Sequence, residues 1–167
     1  MTVGRPSSHR GVAARAAVLA VATTVAASCG GNDHEYEPPD RSRQIAAAES
    51  TLARVDFDTI RWRSDSLRLY TGNELFAAEC RQCHGYLGRG DTDYARRRGL
   101  EVPSLVRPDW HLADQPDSVR RIIYVGHVEG MPSWGAWRLS PRAIDAITYY
   151  LLQDLRPEVL DEASPDG

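Results

Sequence analysis

The sequence predicts an all-α fold, and three observations carry that prediction. No stretch of useful length alternates apolar and polar residues with a period of two. Apolar residues recur instead at steps of three and four, in segments opened by Ser, Asp or Pro. The stretches between those segments are rich in Gly and Pro, which punctuate loops. The chain has 167 residues and 42% hydrophobic content, enough for one domain with appendages.

The first segment is a targeting signal. Arg5, Arg10 and Arg15 form a positive region ahead of an apolar run, Ala16 to Ala27. Twelve residues are too few to span a bilayer as a helix. The run ends in Ala26-Ala27-Ser28-Cys29, which resembles a bacterial lipoprotein signal with Ala26 where a Leu is usual. That resemblance implies removal of residues 1–28 and lipidation of Cys29. Residues 30–43 are polar and broken by Gly and Pro, the composition of a tether. Ile45, Ala46 to Ala48, Leu52 and Val55 then make a weak amphipathic helix over 44–55. Residues 29–63 together are expected to be a spacer that partly docks.

The main domain is expected over residues 64–156. Ser64-Asp65-Ser66 is an N-cap cluster for a helix running to Gln82. On that helix Gly72, Phe76, Cys80 and Cys83 fall on one face, and Gly72 lets another backbone approach closely. Residues 85–118 are loop-rich, with a short helix at 92–98. Pro116 opens a helix over Asp117 to Val125, with Val119, Ile122 and Ile123 inward and Gly126 at its end. Residues 126–137 are irregular. Ser140-Pro141 then starts the last helix, with a wide stripe from Ala143 to Leu155, and Pro157 is expected to stop it. Residues 157–167 are an acidic tail.

All 20 basic residues counted as Lys or Arg are Arg. Without residues 1–28 the chain carries 17 Arg against 23 acids, which argues against a nucleic-acid surface.

The chemistry centres on Cys80-Arg81-Gln82-Cys83-His84. Two cysteines three apart, followed by His, are the attachment signal for c-type haem. Each thiol adds across a vinyl group, and the His becomes an axial iron ligand. A zinc half-site would want a second Cys or His pair, and no cysteine follows Cys83. A thioredoxin-like pair would want a βαβ pattern. The three cysteines are then all assigned: Cys29 to lipid, Cys80 and Cys83 to haem. The sixth iron ligand is sought among Met131, His127 and His111. Met131 is the one internal Met, lies 47 residues after His84 in a Gly-rich loop, and precedes Pro132. It is favoured over His127, with His111 behind.

Cys80-Arg81-Gln82-Cys83-His84-Gly85, Met131-Pro132-Ser133-Trp134 and a last helix with Tyr149-Tyr150-Leu151 resemble the bacterial class I monohaem cytochrome c family over about residues 65–156. The resemblance implies three to five helices wrapped around one covalent haem c, with the N- and C-terminal helices crossing at Gly72, Phe76, Ile147 and Tyr150. It implies Cys80 and Cys83 as thioethers, His84 as proximal ligand and Met131 as distal ligand. Val102-Pro103-Ser104-Leu105 resembles the segment whose proline carbonyl orients the proximal His, which assigns that role to Pro103. Trp134 is expected to pack on the haem; Tyr86 and Trp110 are expected there or at its propionates, and Trp137 in the core. Arg107 and Arg138 are either propionate partners or, more commonly for Arg, solvated surface side chains.

The expected function is single-electron transfer without catalysis by the chain itself. The carrier is expected on the periplasmic side of a bacterial membrane, between a quinol-oxidising complex and a terminal oxidase or reductase. The rival readings are a labile distal site doing small-ligand or peroxide chemistry, and a haem-gated binding module.

Overall fold

The computed structural model describes residues 40–163, so the expected signal and Cys29 lie outside the described residues. All regular structure within them is helical, with no strand. Helix α1 spans Arg41–Leu52 and is capped by Asp40, which accepts from the Ser42 N–H. A 3₁₀ turn at Phe57–Thr59 follows. Helix α2, Asp65–Leu75, starts at Ser64, whose hydroxyl accepts from the Leu67 N–H at 3.2 Å. It runs into a π-helical turn at Phe76–Cys80 and then helix α3, Arg81–His84. Helix α4 is Asp93–Arg97, and α5 is Pro116–Val125. A short α6, Trp134–Trp137, precedes α7, Pro141–Tyr150. Ser140 caps α7 by accepting from Ala143, and Pro141 supplies its first turn.

The crossing of α2 with α7 is the centre of the core. A Cβ on Gly72 would lie 2.1 Å from the Ala146 carbonyl oxygen and 2.6 Å from the Tyr150 Cβ. Only a hydrogen at that position lets the two backbones meet. Phe76 and Tyr150 pack beside it with ring centroids 5.7 Å apart. Ile144 and Ile147 are fully buried there, each worth about 2–3 kcal/mol of removed apolar surface.

One buried carboxylate ties four segments together. Asp145 on α7 accepts from Trp62 Nε1 at 2.7 Å, from Arg68 of α2 at 2.6 Å and from Arg120 of α5 at 3.0 Å. It is 2% exposed. Arg68 also lies over the Tyr149 ring, and Arg142 over Trp62. Removing such a carboxylate leaves the largely buried Arg68 without its counter-charge and Arg120 with only the exposed Asp117, a costly arrangement.

Residues 40–63 dock on the core, in keeping with a spacer expected to dock partly. Ala48 is fully buried, and Ile45, Leu52, Val55 and Phe57 pack on the core. Glu49 pairs with Arg121, and the Tyr124 hydroxyl meets Thr51 at 3.4 Å. The described residues form one compact unit. One expectation needs correction: Pro157 does not stop the last helix. A π-helical turn at Leu151–Leu155 leads into α8, Arg156–Glu162, with Pro157 in its first turn and Val159 buried. The wider turn relieves the clash between the proline ring and the preceding carbonyls, and the first turn of a helix needs no proline N–H. The acidic tail thus begins as helix.

Candidate haem-attachment site

Cys80 ends the π-helical turn and Cys83 lies in α3, one turn on. Both are free thiols. Cys80 is buried in the same apolar cluster as Phe76 and Tyr150, while Cys83 is half-buried. Burial, reinforced by Glu79, pushes the Cys80 thiol up to about 12. Cys83 is raised too, chiefly by burial, against the lowering pull of Arg98. His84 follows on the same turn, and burial brings its pKa down to about 4, so its imidazole is neutral near pH 7, the state that ligates iron.

The chain after His84 is folded back over the motif. The Gly90 N–H donates to the His84 carbonyl at 2.9 Å, and the Thr92 hydroxyl to the Cys83 carbonyl at 3.3 Å. A Cβ on Gly90, whose φ is +78°, would lie 2.3 Å from the Val102 carbonyl oxygen. The Val102-Pro103 segment therefore reaches the His84 backbone through Gly90. The expected bond from His84 Nδ1 to the Pro103 carbonyl is absent, because Nδ1 is buried with no partner. A buried N–H donor left unpaired costs about 1–3 kcal/mol. An unpaired ring nitrogen beside two free thiols is the donor set that fits a covalent haem. Among the described residues no group of three His, Cys, Asp or Glu side chains is placed to hold a bare metal ion.

Met131 sits in a tightly tied loop between α5 and α6. The His127 N–H donates to the Met131 carbonyl at 3.0 Å, and the Ser133 hydroxyl to the Val125 carbonyl at 2.6 Å. Gly126 has φ +83°, and a Cβ there would lie 2.6 Å from the Met131 carbonyl oxygen, so glycine is required for the loop to close. Met131 is half-buried and packs on the core cluster that contains Cys80. His127 is exposed, with Nδ1 3.5 Å from Glu129, and His111 is exposed as well. Of the three candidates, Met131 alone packs on that cluster.

Trp134 is half-buried against the core and 5.9 Å from Trp137 between centroids. Trp137 itself is 72% exposed, not a core residue as expected: its helix has four residues and turns that face to solvent. Tyr86 is exposed beneath Arg81, and Trp110 lies half-buried beneath Arg156. Arg107 and Arg138 both have carboxylate partners already. Arg107 forms a two-bond pair with Asp109, and Arg138 reaches Glu79 at 3.3 Å. That second pair joins the residue before Cys80 to the residue after α6, a link that no sequence pattern announces.

Comparison with known proteins places the chain in a family. Residues 68–151 match the model of the family described as cytochrome C oxidase, cbb3-type, subunit III. A "Cbb3-type cytochrome c oxidase subunit FixP" from Azorhizobium caulinodans is 35% identical over 80 residues, 48% of this chain and 25% of that protein. A "Cbb3-type cytochrome c oxidase subunit CcoP" from Rubrivivax gelatinosus is 30% identical over 88 residues, 53% of this chain and 26% of that protein. The chain thus spans about a quarter of the length of the curated relatives it matches. No solved structure matches. The matched residues run from α2 through the thiol pair and the Met131 loop to the end of α7, and the chain belongs to the cytochrome c oxidase, cbb3-type, subunit III family.

Proposed function

We propose that this chain is a membrane-tethered cytochrome with one haem c, passing single electrons to or from a terminal oxidase. The observation that carries the reading is the buried Cys80, half-buried Cys83 and neutral His84 on one turn, with Met131 packed on the same cluster. A haem bound there would supply a one-electron redox couple. Cys80 and Cys83 would hold it covalently. His84 Nε2 and the Met131 sulfur would fill the two axial positions, and the surrounding apolar residues would exclude water and raise the potential. Trp134 would pack on the ring.

One Cys-x-x-Cys-His motif in 167 residues supports a single haem. The names of the relatives support an oxidase of the cbb3 type as the partner. A quinol-oxidising complex on the electron-donor side completes the shuttle. The tether reading rests on the signal-like residues 1–28 and Cys29, which would place the domain on the periplasmic side of the membrane. None of the helices among the described residues is long and apolar enough to cross a membrane. Two lipid-borne acyl chains suffice for stable anchoring.

The experiment is Met131→Ala in the haem-bearing protein. Loss of the weak long-wavelength sulfur-to-iron absorption of the oxidised form, with a lowered potential, is expected. An unchanged spectrum and potential would overturn Met131 as ligand. The mass of the membrane-extracted protein tests one haem and the acyl groups together.

A further inference from the structure

Helix α8 lies past residues 68–151, the part of the chain that matches the family, and it opens on a buried cation. Arg156, its first residue, is 6% exposed. The guanidinium lies over the Trp110 ring at 5.0 Å. Its Nη1 donates to the Leu105 carbonyl and to the Arg107 carbonyl, the latter at 3.3 Å. Among the described residues no carboxylate bonds it. Burial works against its charge, and Asp114 offsets that only in part. A buried cation without an ion pair needs strong acceptors, and here they are two carbonyls of one turn.

That turn leads back to the histidine. The Leu105 N–H donates to the Gly88 carbonyl at 2.8 Å. Gly88, at φ +67°, is wedged in place: a Cβ there would lie 3.3 Å from Leu155 Cδ2 and 3.4 Å from Val106 Cγ1. Two residues on, Gly90 donates to the His84 carbonyl and abuts the Val102 carbonyl. Arg156, the 105–107 turn, Gly88 to Gly90 and His84 thus form one continuous series of contacts.

We propose that Arg156 is a positioning residue for His84: it pins the 105–107 turn onto the loop that folds over the motif, and so fixes how the imidazole is presented to iron. The inference rests on the proposed ligation by His84 and adds the residue that holds that ligand's loop from outside the matched part of the chain. An unbranched neutral side chain at 156 would fill much of the space but leave the Leu105 carbonyl without its buried donor. A lysine would keep the charge but lose the planar fork and the stacking on Trp110. A ligand whose supporting shell is loosened samples more orientations, and its donation to the metal changes with them.

The test uses the haem-bearing full chain with Arg156→Met, Arg156→Lys and Ile144→Val, the last a control that weakens the α2–α7 core away from the loop. Amide hydrogen exchange and the hyperfine-shifted proton resonances of the His84 ring in the ferric protein are read together. In Arg156→Met the Gly90 and Leu105 amides are expected to exchange about tenfold faster or more, with the α7 amides no faster than in Ile144→Val. The His84 ring resonances should move in Arg156→Met and stay in place in Ile144→Val. Arg156→Lys should fall between Arg156→Met and the parent in both readouts. Unmoved His84 resonances in Arg156→Met would overturn the proposal and leave the arginine a purely structural role. Parent-like exchange at Gly90 and Leu105 would overturn it as well. Should Arg156→Met not fold, Arg156→Lys carries the test, and parent-like values in either readout overturn the proposal there. A colourless parent, or one whose His84 ring shows no hyperfine shift, would defeat the haem reading itself before any variant is compared.

Discussion

Gly72→Ala sets two effects of opposite sign against each other. Alanine in the interior of α2 gains about 0.8–1 kcal/mol in helix propensity over glycine. Against that, the new methyl would stand 2.1 Å from the Ala146 carbonyl oxygen and 2.6 Å from the Tyr150 Cβ. An ordinary contact begins near 3.4 Å, so the helices must separate by about 1.3 Å at the crossing. No rotamer change can relieve this, because the obstacles are a backbone carbonyl and a Cβ. Overpacking of a tight core costs about 1–3 kcal/mol, and a backbone obstacle belongs at the upper end. The net expectation is a loss of about 2 kcal/mol. Guanidinium unfolding of the haem-bearing protein, followed by far-ultraviolet circular dichroism, is the assay. With a slope of about 4 kcal/mol/M, the midpoint should fall by about 0.5 M. Gly99→Ala is the control, since no atom lies within 4 Å of its Cβ position and only the φ of +61° opposes the change. A Gly72→Ala protein as stable as the parent would refute the close crossing of α2 and α7.

Two further substitutions probe the supports of the site. Asp145→Asn should cost about 3–5 kcal/mol, because Arg68 and Arg120 lose their only buried counter-charge, and chemical unfolding should register it. Gly126→Ala should shift the Met131 loop, since its Cβ would meet the Met131 carbonyl at 2.6 Å; the axial absorption should weaken while the α7 circular-dichroism signal persists.

What was legible in the sequence was what local chemistry dictates. Ser64 and Ser140 cap their helices, Pro116 and Pro141 start theirs, and Gly72 marks the crossing. These are read within a few residues of the signal itself. Long-range partners were not legible. Nothing near Trp62 or Glu49 shows that they meet Asp145 and Arg121, so the sequence gives the arm's partial docking without its partners. The Arg138–Glu79 pair joins residues far apart in sequence, so sequence alone offers Arg138 only a propionate or solvent. Pro157 reads as a stop because the wide turn before it has no sequence signature. The cysteine-histidine motif was legible as chemistry, while the unpaired Nδ1 of His84 needed coordinates to be seen.

The carboxylate of Asp145 has a consequence for how the molecule opens. It gathers groups from the arm, α2 and α5 onto α7, so no one of these segments can fray without taking a donor from a carboxylate that stays buried. Partial openings are thereby suppressed, and the slowest-exchanging amides of α1 should approach the protection of the central helices. A segment with a weak apolar stripe then lives or melts with the whole.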